Sequence, residues 1–136
     1  MPAKLKSVKS TAVRERVSRE EWEVRCDLAA AYQLAAIYKW TDLIYTHFSA
    51  RVPGGHDFLV NPYGLMFDEI TASTLVKVSP EGKVLDDPMD MGYNEAGFVI
   101  HGCVHAARPE INYQCILDEG SCTKSHLATI FPECDW

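Results

Sequence analysis

The run Asp42-Leu43-Ile44-Tyr45-Thr46-His47-Phe48-Ser49-Ala50-Arg51-Val52-Pro53-Gly54-Gly55-His56-Asp57-Phe58-Leu59-Val60-Asn61-Pro62-Tyr63-Gly64 decides the fold class. Within it Ile44, Thr46, Phe48 and Ala50 alternate with Tyr45, His47, Ser49 and Arg51, and a period of two gives a strand two distinct faces. Pro53-Gly54-Gly55 breaks the alternation and Phe58-Leu59-Val60 resumes it, which predicts a strand, a turn and a return strand. Asn61-Pro62-Tyr63-Gly64 then stops the second strand. Proline fixes one dihedral there and glycine allows a positive one, so a tight, structured loop is expected.

Upstream, Ser18 followed by Glu21 forms a capping box, and Val24, Leu28, Ala31, Tyr32, Ala35 and Tyr38 recur at helical spacing. That predicts a helix of about twenty residues. Downstream, Thr71 to Leu75 reads as one short helical turn. Leu75 to Val78, Ser79-Pro80-Glu81-Gly82 and Lys83 to Leu85 read as a hairpin, with proline at the turn start and glycine where a left-handed residue is needed. Asp86 to Tyr93 is a polar loop. Asn94 caps a second long helix, in which Phe98, His101 or Gly102, and His105 share one side until Pro109 ends it. Two long helices flanking two hairpins predict an α+β domain with an antiparallel sheet. Tyr113 to Leu117 reads as a buried strand, whereas residues 118–136 show no period.

The length of 136 residues, with 47% hydrophobic and 24% charged, suits one ordinary globular domain and excludes a disordered or collagen-like chain. Six of the 13 basic residues lie in the first nineteen positions against Glu15 alone; from Glu20 onward seven basic residues face eighteen acidic ones. Such a body repels phosphate backbones, so no nucleic-acid partner is expected. The basic leader reads as a flexible arm over residues 1–17, with a weak organelle-targeting segment as the alternative. No apolar run reaches the roughly 20 residues needed to span a bilayer, and no secretory core is present, so a cytoplasmic location is expected. The five cysteines form no C-x-x-C pair and read as reduced, mostly buried thiols.

Five segments in order carry a resemblance: Asp42 to Gly54, Phe58 to Gly64, Glu69-Ile70-Thr71-Ala72-Ser73, Ala96-Gly97-Phe98-Val99-Ile100-His101, and His105-Ala106-Ala107-Arg108-Pro109-Glu110. Together they resemble the class II aldolase and adducin head-domain family over roughly residues 20 to 112. The resemblance implies a three-layer α/β/α domain with a mostly antiparallel central sheet, of which residues 18–117 form the N-terminal portion. Family domains are longer, so C-terminal truncation is expected, with 118–136 as an atypical tail. Tetrameric assembly is usual in the family, so homo-oligomerisation is expected here. In catalytic members a divalent metal, typically zinc, polarises a small hydroxy-carbonyl substrate, and a carboxylate serves as acid or base.

The resemblance also shows what is absent. The family's His-x-His pair falls within Ile116-Leu117-Asp118-Glu119-Gly120, which contains no histidine, and its carboxylate position is Gly97. Glu95 lies two residues too early, about 200° away around a helix. The phosphate loop matches only at Gly64, with His47, Tyr63, Glu95 and Ala96 replacing the family's residues, so sugar phosphates are poor substrates. No catalytic residue and no metal ligand are assigned, and zinc or another divalent metal is expected only in a full-length catalytic relative. His47, Asn61, Gly64 and Asn94 are the candidate pocket residues for a small hydroxy-carbonyl ligand. His47 can equally be a hydrogen-bonded core histidine. His101 and His105, four apart, share a helix face; packing against the sheet is expected before metal binding. His56 and His126 are expected to be solvated, and so is the Asp86, Asp87, Asp90 run. Two functional readings follow: an aldolase-like lyase domain inactive as it stands, or a non-catalytic adducin-like assembly module with a cytoskeletal partner.

Overall fold

The computed structural model describes residues 10–41 and 46–116. Helix α1 (Ser10–Arg16) leads into α2 (Arg19–Ile37), whose cap is the expected one, Ser18 Oγ accepting from Glu21 N at 3.1 Å. Strands β1 (His47–Arg51) and β2 (Phe58–Val60) pair antiparallel with Arg51 opposite Phe58, so the hairpin turns through Pro53-Gly54-Gly55. A 3₁₀ turn (Phe67–Glu69) precedes β3 (Val76–Val78) and β4 (Val84–Asp86). Helix α3 (Glu95–Ala107) and β5 (Tyr113–Ile116) follow. All pairings are antiparallel, in the order β4-β3-β2-β1-β5. Gly64 and Gly82 take the positive φ that their turns require, +90° and +82°.

The period-two pattern divides the core. On one face Phe48, Ala50, Val52 and Leu59 pack against Leu28, Tyr32 and Ala35 of α2, with Phe67, Ile70 and Leu75 closing the layer. On the other, Phe58, Val60, Val76 and Val78 meet Tyr93 and Phe98, while His47, Ser49 and Arg51 turn toward α3. The result is α2, sheet, α3: the three-layer arrangement expected. Tyr32 ties two layers. Its hydroxyl donates to the Phe48 carbonyl at 2.6 Å, accepts from Phe48 N at 2.9 Å, and lies 3.0 Å from Asn61 Oδ1.

Several expectations change. Residues 10–16 of the leader are helical, Val13 is fully buried and Arg16 forms an ion pair with Asp86 at 2.9 Å; residues 1–9 lie outside the described residues. Asp86 is therefore no solvated charge. It also meets the fully buried Arg25 at 3.4 Å, and Arg25 bonds Glu21 at 3.0 Å and the Leu75 carbonyl at 2.9 Å. Asp87 accepts from Met89 N and Gly92 N, fastening the loop before α3. The turn at Thr71 closes through Thr74 N to Thr71 O without a helix, the 3₁₀ turn standing just upstream instead. Strand β5 is a sheet margin with Tyr113 and Cys115 exposed, since only β1 pairs with it among the described residues. Cys26 is also exposed and Cys103 half-buried, so the described thiols are not mostly buried. The tail from 118, with His126, Cys122 and Cys134, lies outside the described residues.

Candidate functional site

The site lies where α3 crosses β1. Asn94 starts the helix by accepting from Ala96 N at 3.1 Å and Gly97 N at 3.3 Å, satisfying two of the amides that a helix start leaves open. Gly97, one turn in, lets the helix close on the strand. A Cβ there would stand 2.6 Å from His47 Nε2 and 2.8 Å from its Cε1. The space a side chain at 97 needs is filled by the His47 ring.

From that contact a line of buried polar groups runs between strand and helix. His47 Nδ1 bonds His101 Nε2; Ser49 Oγ lies 2.6 Å from His101 Nδ1 and 2.9 Å from His105 Nε2; His105 Nδ1 lies 3.2 Å from the Ile111 carbonyl. The His105 ring stacks on Phe58, centroids 5.1 Å apart, and Arg51 Nη2 donates to the His105 carbonyl at 2.6 Å. Burial holds His101 well below the ordinary histidine range, with His47 and His105 opposing a further positive charge. Burial, then the Arg51 charge, brings His105 down to about 4. At neutral pH both imidazoles are uncharged.

His47, Val60, Asn61, Asn94, Gly97 and His101 enclose a cavity with about 10 Å³ of room for a water centre, the space of about one water molecule. Three candidate pocket residues, His47, Asn61 and Asn94, thus converge. Gly64 does not line the cavity; a Cβ on it would meet Met91. His47 fills both roles considered for it, core hydrogen bonding and pocket wall. His56 is exposed, as expected. Ser49 and Arg51 were not singled out as site residues, although the same alternation that marks His47 places all three on one face.

A metal does not fit this set. Ring nitrogens of the three histidines are engaged with one another, with Ser49 and with Ile111, and no group of three His, Cys, Asp or Glu suited to a metal occurs among the described residues. On the far side of the sheet, Leu28, Ala31, Leu34, Trp40, Tyr113 and Cys115 line an apolar groove of about 310 Å³. No helix among the described residues is long and apolar enough to cross a membrane.

Residues 26–115 match the family described as Class II Aldolase and Adducin N-terminal domain. A Caulobacter vibrioides protein carrying an aldolase class 2 name is 48% identical over 124 residues, covering 89% of this chain and 48% of that one. Mouse alpha-adducin is 45% identical over 96 residues, 69% of this chain and 13% of that one. The crystal structure of an aldolase II superfamily protein from Pseudomonas syringae superposes with a TM-score of 0.74 at 61% identity, covering 75% of this chain and 41% of that one. The chain thus spans less than half the length of these relatives.

Proposed function

This chain belongs to the class II aldolase and adducin N-terminal domain family, and from that premise we propose that it is an aldolase-derived domain which keeps a small polar pocket without lyase chemistry of its own. The packing of Gly97 against His47 carries the proposal. Position 97 is where the resemblance puts an acid–base carboxylate, and a side chain there collides with a buried, hydrogen-bonded imidazole. Position 97 lacks that carboxylate and no histidine stands from 116 to 120, which supports the reading that this domain draws no proton from a carbon and holds no enediolate with the family's own groups.

The pocket residues His47, Asn61 and Asn94 suit a small uncharged hydroxy-carbonyl group, and the acidic Glu95 at the start of α3 disfavours a phosphate. A cytoplasmic location accords with this reading. The test is an aldol-cleavage assay on the 136-residue chain with zinc or manganese and a panel of hydroxy-carbonyl compounds and their phosphates. No turnover above buffer is expected, and turnover that a chelator abolishes would overturn the proposal.

The apolar groove favours a second reading, assembly in the adducin manner. Leu34, Trp40 and Tyr113 are about half exposed, at 52%, 56% and 48%, and β5 is the outer strand among the described residues. Self-association, or a cytoskeletal partner, would cover that surface. Light scattering on the intact chain should show oligomers that Leu34→Glu disperses; a monomer at all concentrations, with no partner recovered, would sink this reading.

A further inference from the structure

At the far end of β1 from His47, the half-buried Arg51 stands in an open cleft of about 180 Å³ that shares no lining residue with the cavity at His47. Its guanidinium is short of partners. Nη2 donates to the His105 carbonyl at 2.6 Å, while Nε is closed off from solvent and bonded to nothing among the described residues. The carboxylates that neighbour the cleft in sequence are engaged elsewhere: Asp57 with Lys77 at 4.0 Å, Glu81 with the Ser79 hydroxyl at 2.7 Å, and Glu110 with Arg108. A buried donor without an acceptor is rare in folded proteins, because nothing replaces its lost hydration. Arg51 therefore carries a charge and hydrogen-bonding capacity that the fold leaves unused.

We infer that this cleft is a binding site for a small carboxylate with an apolar body, its carboxyl group held by Arg51. The walls divide by chemistry. Phe58, Pro80, Ala106 and Pro109 supply apolar surface, and Arg51 supplies a permanent positive charge. The planar fork of a guanidinium presents paired N–H groups that match the two oxygens of a carboxylate. The site is set in advance: the His105 ring stacks on Phe58 with centroids 5.1 Å apart, and the Arg51 bond to the His105 carbonyl ties β1 to α3 across the cleft. Its volume lies below the roughly 300–1,000 Å³ of sites for drug-sized ligands, so the ligand is small. One arginine beside apolar walls suits a single negative charge, and the acidic body, with a net charge of −6 for the chain, opposes a second one. A monocarboxylate fits this balance better than a phosphate. Binding here is independent of what the His47 cavity holds.

The test is a ¹H–¹⁵N titration of the full chain at neutral pH with benzoate, benzamide and inorganic phosphate. Benzoate should shift the amides of Arg51, Phe58 and Ala106 along saturable curves. Benzamide, which keeps the ring and drops the charge, should bind at least about tenfold more weakly, and so should phosphate. Benzamide as tight as benzoate would reduce the site to an apolar cleft, and phosphate as tight would make it a general anion site; either result overturns the proposal. So would the absence of saturable shifts, or shifts confined to residues around His47. Arg51→Gln removes the charge and should weaken benzoate at least about tenfold. Because Arg51 also ties β1 to α3, Ala106→Leu provides a second variant, which narrows the cleft from an exposed position and leaves the guanidinium intact. It should weaken benzoate as well. Benzoate affinity unchanged in Ala106→Leu, or in a folded Arg51→Gln chain, would refute the assignment.

Discussion

Replacing Gly97 with alanine should destabilise the domain, against the usual rule. Glycine inside a helix costs about 1 kcal/mol relative to alanine, so Gly→Ala in α3 would ordinarily stabilise. Here the new Cβ would lie within 2.9 Å of three atoms of the His47 ring, a distance that carbon atoms do not tolerate. The ring has little room to yield: His47 is buried and bonded to His101. Overpacking costs about 1–3 kcal/mol, and losing the His47–His101 bond costs about another 1 kcal/mol. After the helix gain is set against these, the net loss is about 1–3 kcal/mol. Gly102 is the internal control. It sits in the same helix, and its Cβ would meet only Phe98 at 3.7 Å, ordinary contact, so Gly102→Ala should gain up to about 1 kcal/mol. Urea midpoints of the two variants, measured by circular dichroism, should therefore move in opposite directions. A Gly97→Ala chain as stable as the parent would show that the helix and strand are not in the contact that excludes a side chain at 97.

Other consequences can be measured the same way. Tyr32→Phe removes the hydroxyl that satisfies both Phe48 backbone groups and should cost about 1–3 kcal/mol in urea unfolding. Arg25→Ala strips the buried cation from Glu21 and Asp86 and should cost about 3–5 kcal/mol, whereas exposed Arg19→Ala, in a surface pair with Glu23, should cost less than about 1 kcal/mol. His105 titrates near 4 when folded and near 6.5 when unfolded, so the unfolded chain binds more protons between those values. Stability is then full above about pH 6.5 and falls as pH drops toward 4, by up to about 3 kcal/mol from this group; denaturant midpoints that are flat from pH 7 to 4.5 would contradict the burial of His105.

The readable parts of the fold are those where local chemistry decides the backbone. Ser18 and Asn94 are caps because their side chains reach the open amides of a helix start, and Gly64 and Gly82 mark turns because few other residues take a positive φ. The alternation from Ile44 to Arg51 fixed which side chains of β1 face which helix. What escaped depends on distant partners. The leader is helical at Ser10–Arg16, where Arg16 meets Asp86, seventy residues away, and Val13 meets the core. Asp86 and Asp87 read as solvated charges until Arg25 and the Gly92 amide come to meet them. In the site, the separate positions of His47, Asn61 and Asn94 were legible. Ser49 joining two helix histidines was not, because a serine on a strand face gives no sign of its partner until α3 is laid across it.

The proposal at the centre of this account is that packing at Gly97 and hydrogen bonds, with no metal, join His47, Ser49, His101 and His105 between β1 and α3. Crystals of the intact chain grown with zinc and measured at the zinc absorption edge test it most directly. The account predicts no anomalous peak between His47 and His101 and an intact line through Ser49 to His105. A zinc ion seated between those two rings, with the line broken, would contradict it.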